Sequence, residues 1–390
     1  MTATHGQPGA EARTHSLAAA MLCAALAGCG FGLLMPLVSL NLEAMTGSAA
    51  IAGGNAAMAA LSTIILTPFA PGLLAAMRPR LAIILALIIT GLGIALFPFI
   101  ADVTAWFILR FLVGVSMTFV FVASETWINQ LAKPERRASL LAVYATVLAG
   151  GFGLGGVLVA LLGASGFAPW LVGAGIFLLG AVPIIALRGP ELEAPLAAEA
   201  RPSALFSAAR IAPLAMLAGF IFGALETSSF ALFPVYAERL GFPIVLIGLL
   251  TTAGALGAIG LQVPIGMIAD RVGRRRILFL VALASTLAPL GILASGASAP
   301  PVFVLTFFYV GCASAFYTLG LALVGERFTG GSMAAANAAF ILAYGAGSLV
   351  GPLSGGAAMD IWSPFGLMPA LSALALIYVL LSALSSARGR

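Results

Sequence analysis

Charge is scarce in this 390-residue chain, at 8% of residues, yet Glu226, Arg110 and Glu125 fall inside long apolar stretches. An ionised side chain at the centre of a membrane helix costs roughly 2.5–3.5 kcal/mol on insertion scales, so each should face a cavity or a partner rather than lipid. Glu226 stands about halfway along its run. Gly219, Phe222, Gly223, Ser229, Phe230 and Phe233 recur around it at offsets of three, four and seven, the spacing of one helix face. That face joins a carboxylate to small residues and aromatic rings. An apolar wall favours the protonated form of a carboxylate, which suits a group that takes up and releases a proton. A structural hydrogen bond to a neighbouring helix would use the same residues.

Arg110 and Glu125 share one apolar run but lie about 22 Å apart along a helix, too far to pair. Beside Trp106 and Asp102, Arg110 fits either an interfacial anchor or a coupling residue. Glu125 lies one or two turns before Lys133, Arg136 and Arg137, which suits a gate residue pairing with Arg78, Arg80, Arg136 or Arg137. Glu326 holds a similar place at the end of another run. No enzyme constellation accompanies these charges. His5 and His15 lie in the N-terminal tail, and the chain holds neither Ser-x-x-Lys nor His-Glu-x-x-His. The expectation is no enzyme, no metal and no cofactor.

The elements that position these charges follow from composition. With 62% hydrophobic residues and a mean hydropathy of +1.13, the chain departs from soluble proteins, which carry about 25% charged residues. Apolar segments fall at about 16–42, 49–77, 81–100, 103–130, 138–162, 168–187, 210–239, 244–268, 277–296, 301–327, 332–359 and 364–385. Most reach the roughly 20 residues that span a bilayer. An all-α membrane protein of twelve helices is predicted. Residues 188–209 hold Pro190, Pro195, Pro202 and three glutamates with little periodicity, and read as a linker. The organisation is thus a tail 1–15, a six-helix half 16–187, the linker 188–209, a second half 210–385 and a tail 386–390.

Every Lys and Arg except Arg110 and Arg239 then falls on one side, which predicts that both termini and the linker are cytoplasmic. The pI near 9.5 therefore reports topology rather than a nucleic-acid surface. Cys23, Cys29 and Cys312 lie in apolar runs and predict packing, not disulfides. Leu26-Ala27-Gly28-Cys29 resembles a lipoprotein cleavage box, but cleavage there would remove half of a first helix.

Duplication is legible in Gly151-x-x-x-Gly155-Gly156 and Gly351-x-x-x-Gly355-Gly356, and more weakly in Pro36 and Pro234. The densest charge in the chain, Gly266-x-x-x-Asp270-Arg271-x-Gly273-Arg274-Arg275-Arg276, lies between two apolar runs as a short turn. Asp270 sits at the negative pole of the preceding helix and needs cationic or amide partners there. Gly273 allows a tight reversal.

This stretch resembles the loop signature of the major facilitator superfamily. The counterpart between the second and third helices, Gly72 to Arg80, is degenerate, with Ala76 and Pro79 where the acid and a glycine would stand. Arg110-Phe111-x-x-Gly114, Glu125-x-Trp127-x-Asn129, the run from Arg137 to Tyr144, and Gln262-x-Pro264-Ile265-Gly266 are similar to the YcaD-like branch of bacterial facilitators. The resemblance implies two six-helix repeats, a central path lined by helices 1, 4, 7 and 10, and a cytoplasmic charge network of Asp270 with Arg271, Arg274 and Arg275, to which the position of Glu125, Arg137 and Glu326 beside basic loops adds further gate residues. It implies a coupling or substrate-binding role for Arg110 and a wet face on helix 7, where the residue pattern itself suggests a proton or substrate role for Glu226 beside Phe222, Phe230, Phe233 and Tyr317. The Gly-x-x-x-Gly-Pro-x-x-Gly-Gly string of proton antiporters occurs here at Gly347–Gly356, in helix 11 rather than helix 5.

The expectation is a secondary transporter of a bacterial inner membrane, moving a small organic solute by alternating access. The proton is the expected coupling ion, with export modestly favoured. Proton symport, uniport and a non-transporting receptor or scaffold remain as alternatives. The expected partners are the lipid bilayer and the solute, with no nucleic acid, and the chain is expected to be a monomer.

Overall fold

The structure is a computed structural model that describes residues 10–67, 69, 73, 79–132, 137–186, 202–328 and 331–388. Twelve long helices account for most of them: α1 Ala10–Thr46, α2 Ala49–Leu66, α3 Pro79–Leu96, α4 Val103–Leu131, α5 Arg137–Leu162, α6 Ala168–Ala186, α7 Pro213–Arg239, α8 Ile244–Val272, α9 Arg274–Ser295, α10 Ala299–Gly325, α11 Gly331–Ile361 and α12 Leu367–Arg388. Each contains a stretch long and apolar enough to cross a bilayer. Helices satisfy their own backbone groups, which hydrocarbon cannot do for them. Polar residues set their ends. The Asp102 carboxylate accepts from Ala105 N at 2.7 Å to open α4, and Ser48 accepts from Ile51 N to open α2. Gly273, at φ 108°, turns the chain from α8 into α9.

The expected boundaries shift in several places. Of the linker, residues 188–201 lie outside the described residues, but Pro202–Ile211 is a short helix rather than irregular chain. Pro202 supplies a pre-set φ at its first turn, and α7 begins afresh at Pro213. Helix α1 starts at Ala10, inside the expected tail, and α12 continues to Arg388. Helix α8 runs to Val272, so Asp270 lies on its last turn. The degenerate counterpart loop, including Ala76 and Arg78, lies outside the described residues.

One helix pair builds each half's centre, and the duplicated glycines make both. Helix α5 packs on α1 and crosses to α8 of the other half; α11 packs on α7 and crosses to α2. Gly151 and Gly155 leave room for the α1 backbone, while a Cβ on Gly156 would lie 2.6 Å from the Gly248 carbonyl oxygen of α8. Gly347 and Gly351 do the same against α7, and Gly356 against Ala49 of α2. Small residues at membrane helix contacts permit close backbone approach. The two copies thus hold the halves both within themselves and to each other.

Every residue of α1 from Gly32 to Leu40 and of α7 from Thr227 to Ala237 is buried. The bundle is therefore closed from mid-membrane to the end that carries Arg239. The opposite end carries Asp270.

Candidate functional site

Glu226 lies near the middle of α7, and from Ile221 to Ala237 it is the one residue that is not buried. Every α7 residue from Thr227 to Ala237 is buried, so this exposure does not continue toward the Arg239 end. Tyr344 of α11 donates its hydroxyl hydrogen to Glu226 Oε2 at 2.9 Å. The Tyr344 ring stacks on Phe222, with centroids 5.4 Å apart, and Phe222 meets Tyr317 of α10 at 5.3 Å. Phe340 closes the group against Tyr317 at 5.5 Å. One face of α7 thereby presents a carboxylate within a cluster of rings from three helices. Gly223 lets α11 approach closely enough for the Tyr344 contact, since a side chain there would meet the Tyr344 and Ser348 backbone.

The residues expected to share this face divide. Phe222 and Tyr317 join Glu226. Phe230 instead meets Phe152 of α5 across the two halves, at 4.8 Å, and Phe233 stacks on Tyr309 of α10 at 5.6 Å. They close the bundle beyond the carboxylate. Tyr344 and Phe340 are the members that the sequence reading missed. They stand in an Ala- and Gly-rich segment where an isolated aromatic looks like packing, and only the α7–α11 register brings them to Glu226.

Arg110 is 2% exposed, which removes the reading of an interfacial anchor. Its Nη2 points to the Met35 sulfur at 2.9 Å, and its Nε has no partner among the described residues. Glu125 is half-buried, and its carboxylate makes no ion pair among the described residues. Arg80, one of its expected partners, donates instead to the carbonyls of Ile184 and Ile185 at the end of α6. Arg78 and Arg136 lie outside the described residues, as does the side chain of Arg137. Trp127 and Ile128, beside Glu125, are buried.

At the Asp270 end, Arg274 Nη2 reaches Asp270 Oδ1 at 3.0 Å and its Nη1 reaches Glu326 Oε1 at 3.0 Å. All three belong to the second half. Arg271 and Arg275 are exposed and pair with no acid among the described residues.

A second charge cluster occupies the opposite end, and the sequence reading did not assemble it. Arg239 of α7 donates from Nε to Glu43 Oε1 of α1 at 2.7 Å and from Nη2 to Asp360 Oδ1 of α11 at 2.9 Å. Asp360 also accepts from Ser48 Oγ at 2.6 Å and from the amides of Ala49 and Ala50 at 2.8 and 2.9 Å, at the N-terminus of α2. A carboxylate there meets the positive pole of that helix. Arg239 Nη2 further donates to the Gly47 carbonyl. These bonds tie α1 and α2 of one half to α7 and α11 of the other. The available signal was that Arg239 is one of two cations that break the charge asymmetry.

Twelve spanning helices in two pseudo-repeated halves, with a partly buried carboxylate midway along one of them, define a transporter architecture. The family model of the Major Facilitator Superfamily matches residues 20–248 and 215–389, and the chain belongs to that superfamily. It is 27% identical over 340 residues to the uncharacterized MFS-type transporter YfkF of Bacillus subtilis (strain 168), covering 86% of each chain. It is 29% identical over 287 residues to the uncharacterized MFS-type transporter YcaD of Salmonella typhi, covering 71% of each. Among solved structures, the nucleoside transporter NupG aligns with a TM-score of 0.78 at 13% identity, over 96% of this chain and 98% of NupG. The D-xylose-proton symporter aligns at 0.71 and 19% identity, over 93% and 96%. These likenesses establish the fold. The protein is a multi-pass membrane transporter whose cargo is a small solute.

Proposed function

We propose that this transporter is a proton-coupled exporter of a small organic solute in a bacterial inner membrane, working by alternating access with both termini cytoplasmic. The observation that carries the reading is Glu226, the one unburied residue in the central span of α7, held by Tyr344 and ringed by aromatics at mid-membrane. A carboxylate there alternates between a proton and a solute, and each occupant favours a different half-to-half arrangement. The string of proton antiporters stands at Gly347–Gly356 in α11 rather than in α5, which leaves antiport only modestly favoured over symport.

In this orientation the Arg239 end is the outer side, the Arg239–Glu43–Asp360 cluster is the outer gate, and Glu226 faces the cytoplasm. Asp270, Arg271, Arg274, Arg275 and Glu326, with Glu125 and Arg137 of the first half, form the inner gate. Arg110, shut against Met35, gains polar partners when the outer side opens and so couples the two states. Proton-driven uptake is the second reading, favoured by the structural likeness to the D-xylose-proton symporter.

The test is proton release or uptake when a solute panel is added to detergent-purified protein, with Glu226→Gln alongside. A solute-dependent proton signal that disappears in Glu226→Gln is expected. A solute that binds both proteins equally and moves no proton refutes the role of Glu226 and makes the protein a uniporter.

A further inference from the structure

A cleft of about 50 Å³ lies at the Asp270 end of the second half, and no residue of the Glu226 site or of the Arg274 pairs lines it. Four helices border it. The start of α7 at Ala212–Ala215 faces Arg275 of α9, Leu323 and Arg327 at the end of α10, and Ser385 near the end of α12. One water needs roughly 10–15 Å³ of such space, so the cleft admits a larger group.

Its charge is of one sign. Arg275 and Arg327 are exposed and take part in no ion pair among the described residues. No acid borders the cleft among the described residues. Arg327 donates from Nη1 to the carbonyl of Ile211, the last residue of the short helix Pro202–Ile211, and that bond holds its guanidinium beside the start of α7. No side chain caps α7 at Ala212, so the positive pole of that helix adds to the two arginines. The cleft therefore suits an anion.

Its surroundings decide which anion. Ile211 and Leu384, next in the chain to Ala212 and Ser385, are exposed apolar residues at the ends of helices that cross the bilayer. Phe206 of the short helix is exposed as well, and Arg210 rests over its ring at 5.0 Å from the centroid. A helix that presents apolar side chains beside cations is built to lie in the membrane interface. Basic clefts between membrane helices recognise lipid headgroups. A free phosphate would use the arginines but leave this apolar rim without an occupant.

We infer that the cleft is a binding site for an anionic phospholipid, its headgroup phosphate held by Arg275, Arg327 and the first turn of α7, its acyl chains laid along Ile211 and Leu384. The lipid ties α9, α10 and the short helix to the start of α7, the helix that carries Glu226. In this conformation Arg275 serves the lipid, while its neighbour Arg274 pairs with Asp270 and Glu326.

The experiment is titration of delipidated full-length protein in detergent with dioleoyl phosphatidylglycerol, read as bound lipid by native mass spectrometry. Dioleoyl phosphatidylcholine supplies the same chains without net charge, and glycerol 3-phosphate supplies the phosphate without chains. Phosphatidylglycerol should bind at least about fivefold more tightly than either. Arg275→Gln and Arg327→Gln should each weaken it about fivefold, while Arg276→Gln, which removes the same charge from an exposed position outside the cleft, should stay within about twofold. Arg327 also bonds the short helix, so Arg275→Gln carries the test if Arg327→Gln is not recovered as a folded protein. Equal binding of the two lipids, or equal weakening by Arg275→Gln and Arg276→Gln, overturns the site. Glycerol 3-phosphate binding as tightly as phosphatidylglycerol overturns the lipid assignment and makes the cleft a site for a soluble phosphate.

Discussion

The two ends of the bundle each carry an arginine held by two acids, and the arrangements differ in what they join. Arg239 of α7 pairs with Glu43 of α1 and Asp360 of α11, and Asp360 in turn bonds the start of α2, so the cluster spans the two halves. Around Arg274 the partners are Asp270 and Glu326, both in the second half. Exposure follows the same division. The Arg239 and Glu43 side chains are 14% and 12% exposed, whereas Asp270 and Glu326 are 65% and 46% exposed. Partly buried, multiply bonded charges are costly to separate, and exposed pairs are worth little. The first cluster therefore holds the halves together, while the second shapes one helix junction and is free to engage the other half in another state.

The largest effect is expected from Arg239→Ala, which leaves Glu43 and Asp360 facing each other without their shared cation. About 2 kcal/mol of closure should be lost, a shift of about thirtyfold toward forms open at the Arg239 end. Spin labels on Met45 and Ile361, both exposed, should move apart in double electron–electron resonance. An unchanged distance distribution would show that helix packing alone closes this end.

Gly356→Val tests that packing directly. Any β-carbon at Gly356 meets the Ala49 backbone of α2, whereas Gly150 has nothing within 4 Å of such an atom. Gly356→Val should separate α2 from α11 at a cost of about 1–3 kcal/mol and widen the same label distance, while Gly150→Ala leaves it unchanged. Asp360→Asn comes next, at about 1–2 kcal/mol. It keeps the shape but weakens the bonds to Arg239, Ser48 and two amides. A smaller label displacement than for Arg239→Ala is the expected outcome, and a larger one would place the closure in the α2 cap rather than in the ion pairs.

The contrast between the ends also explains what could be read from the sequence. The twelve helices follow from apolar runs set by bilayer thickness, and the glycine echo at a spacing of 200 residues announces the duplicated packing. Glu226 is legible because an acid in mid-helix is expensive wherever the fold puts it. The Asp270 cluster is legible because Asp270 and Arg274 are neighbours on the chain, four residues apart across one turn. The Arg239 cluster is not, since Glu43, Arg239 and Asp360 are separated by 196 and 121 residues. Each looks alone like a solvated helix end. Tyr344 was hidden for the same reason: its meaning depends on the register of α11 against α7, which no local pattern in either helix states. The partners of Glu125 stay open, because Arg136 and the side chain of Arg137 lie outside the described residues.

The smallest effect is expected from Arg274→Ala, and its smallness is the point. Its two bonds join residues of one half at 36–65% exposure, where pairs contribute roughly 0–1 kcal/mol and are screened by salt. In the state closed at the Arg239 end, thermal stability should fall by no more than about 0.5 kcal/mol, and raising ionic strength to about 1 M should erase the difference between variant and wild type. The Met45–Ile361 label distance should not respond. Arg239→Ala should keep its effect at high salt, because its partners are sheltered. Should Arg274→Ala widen the Met45–Ile361 distance or destabilise by as much as Arg239→Ala, the two clusters would be equivalent ends of one network. The division into a gate that spans the halves and a junction within one of them would then fail.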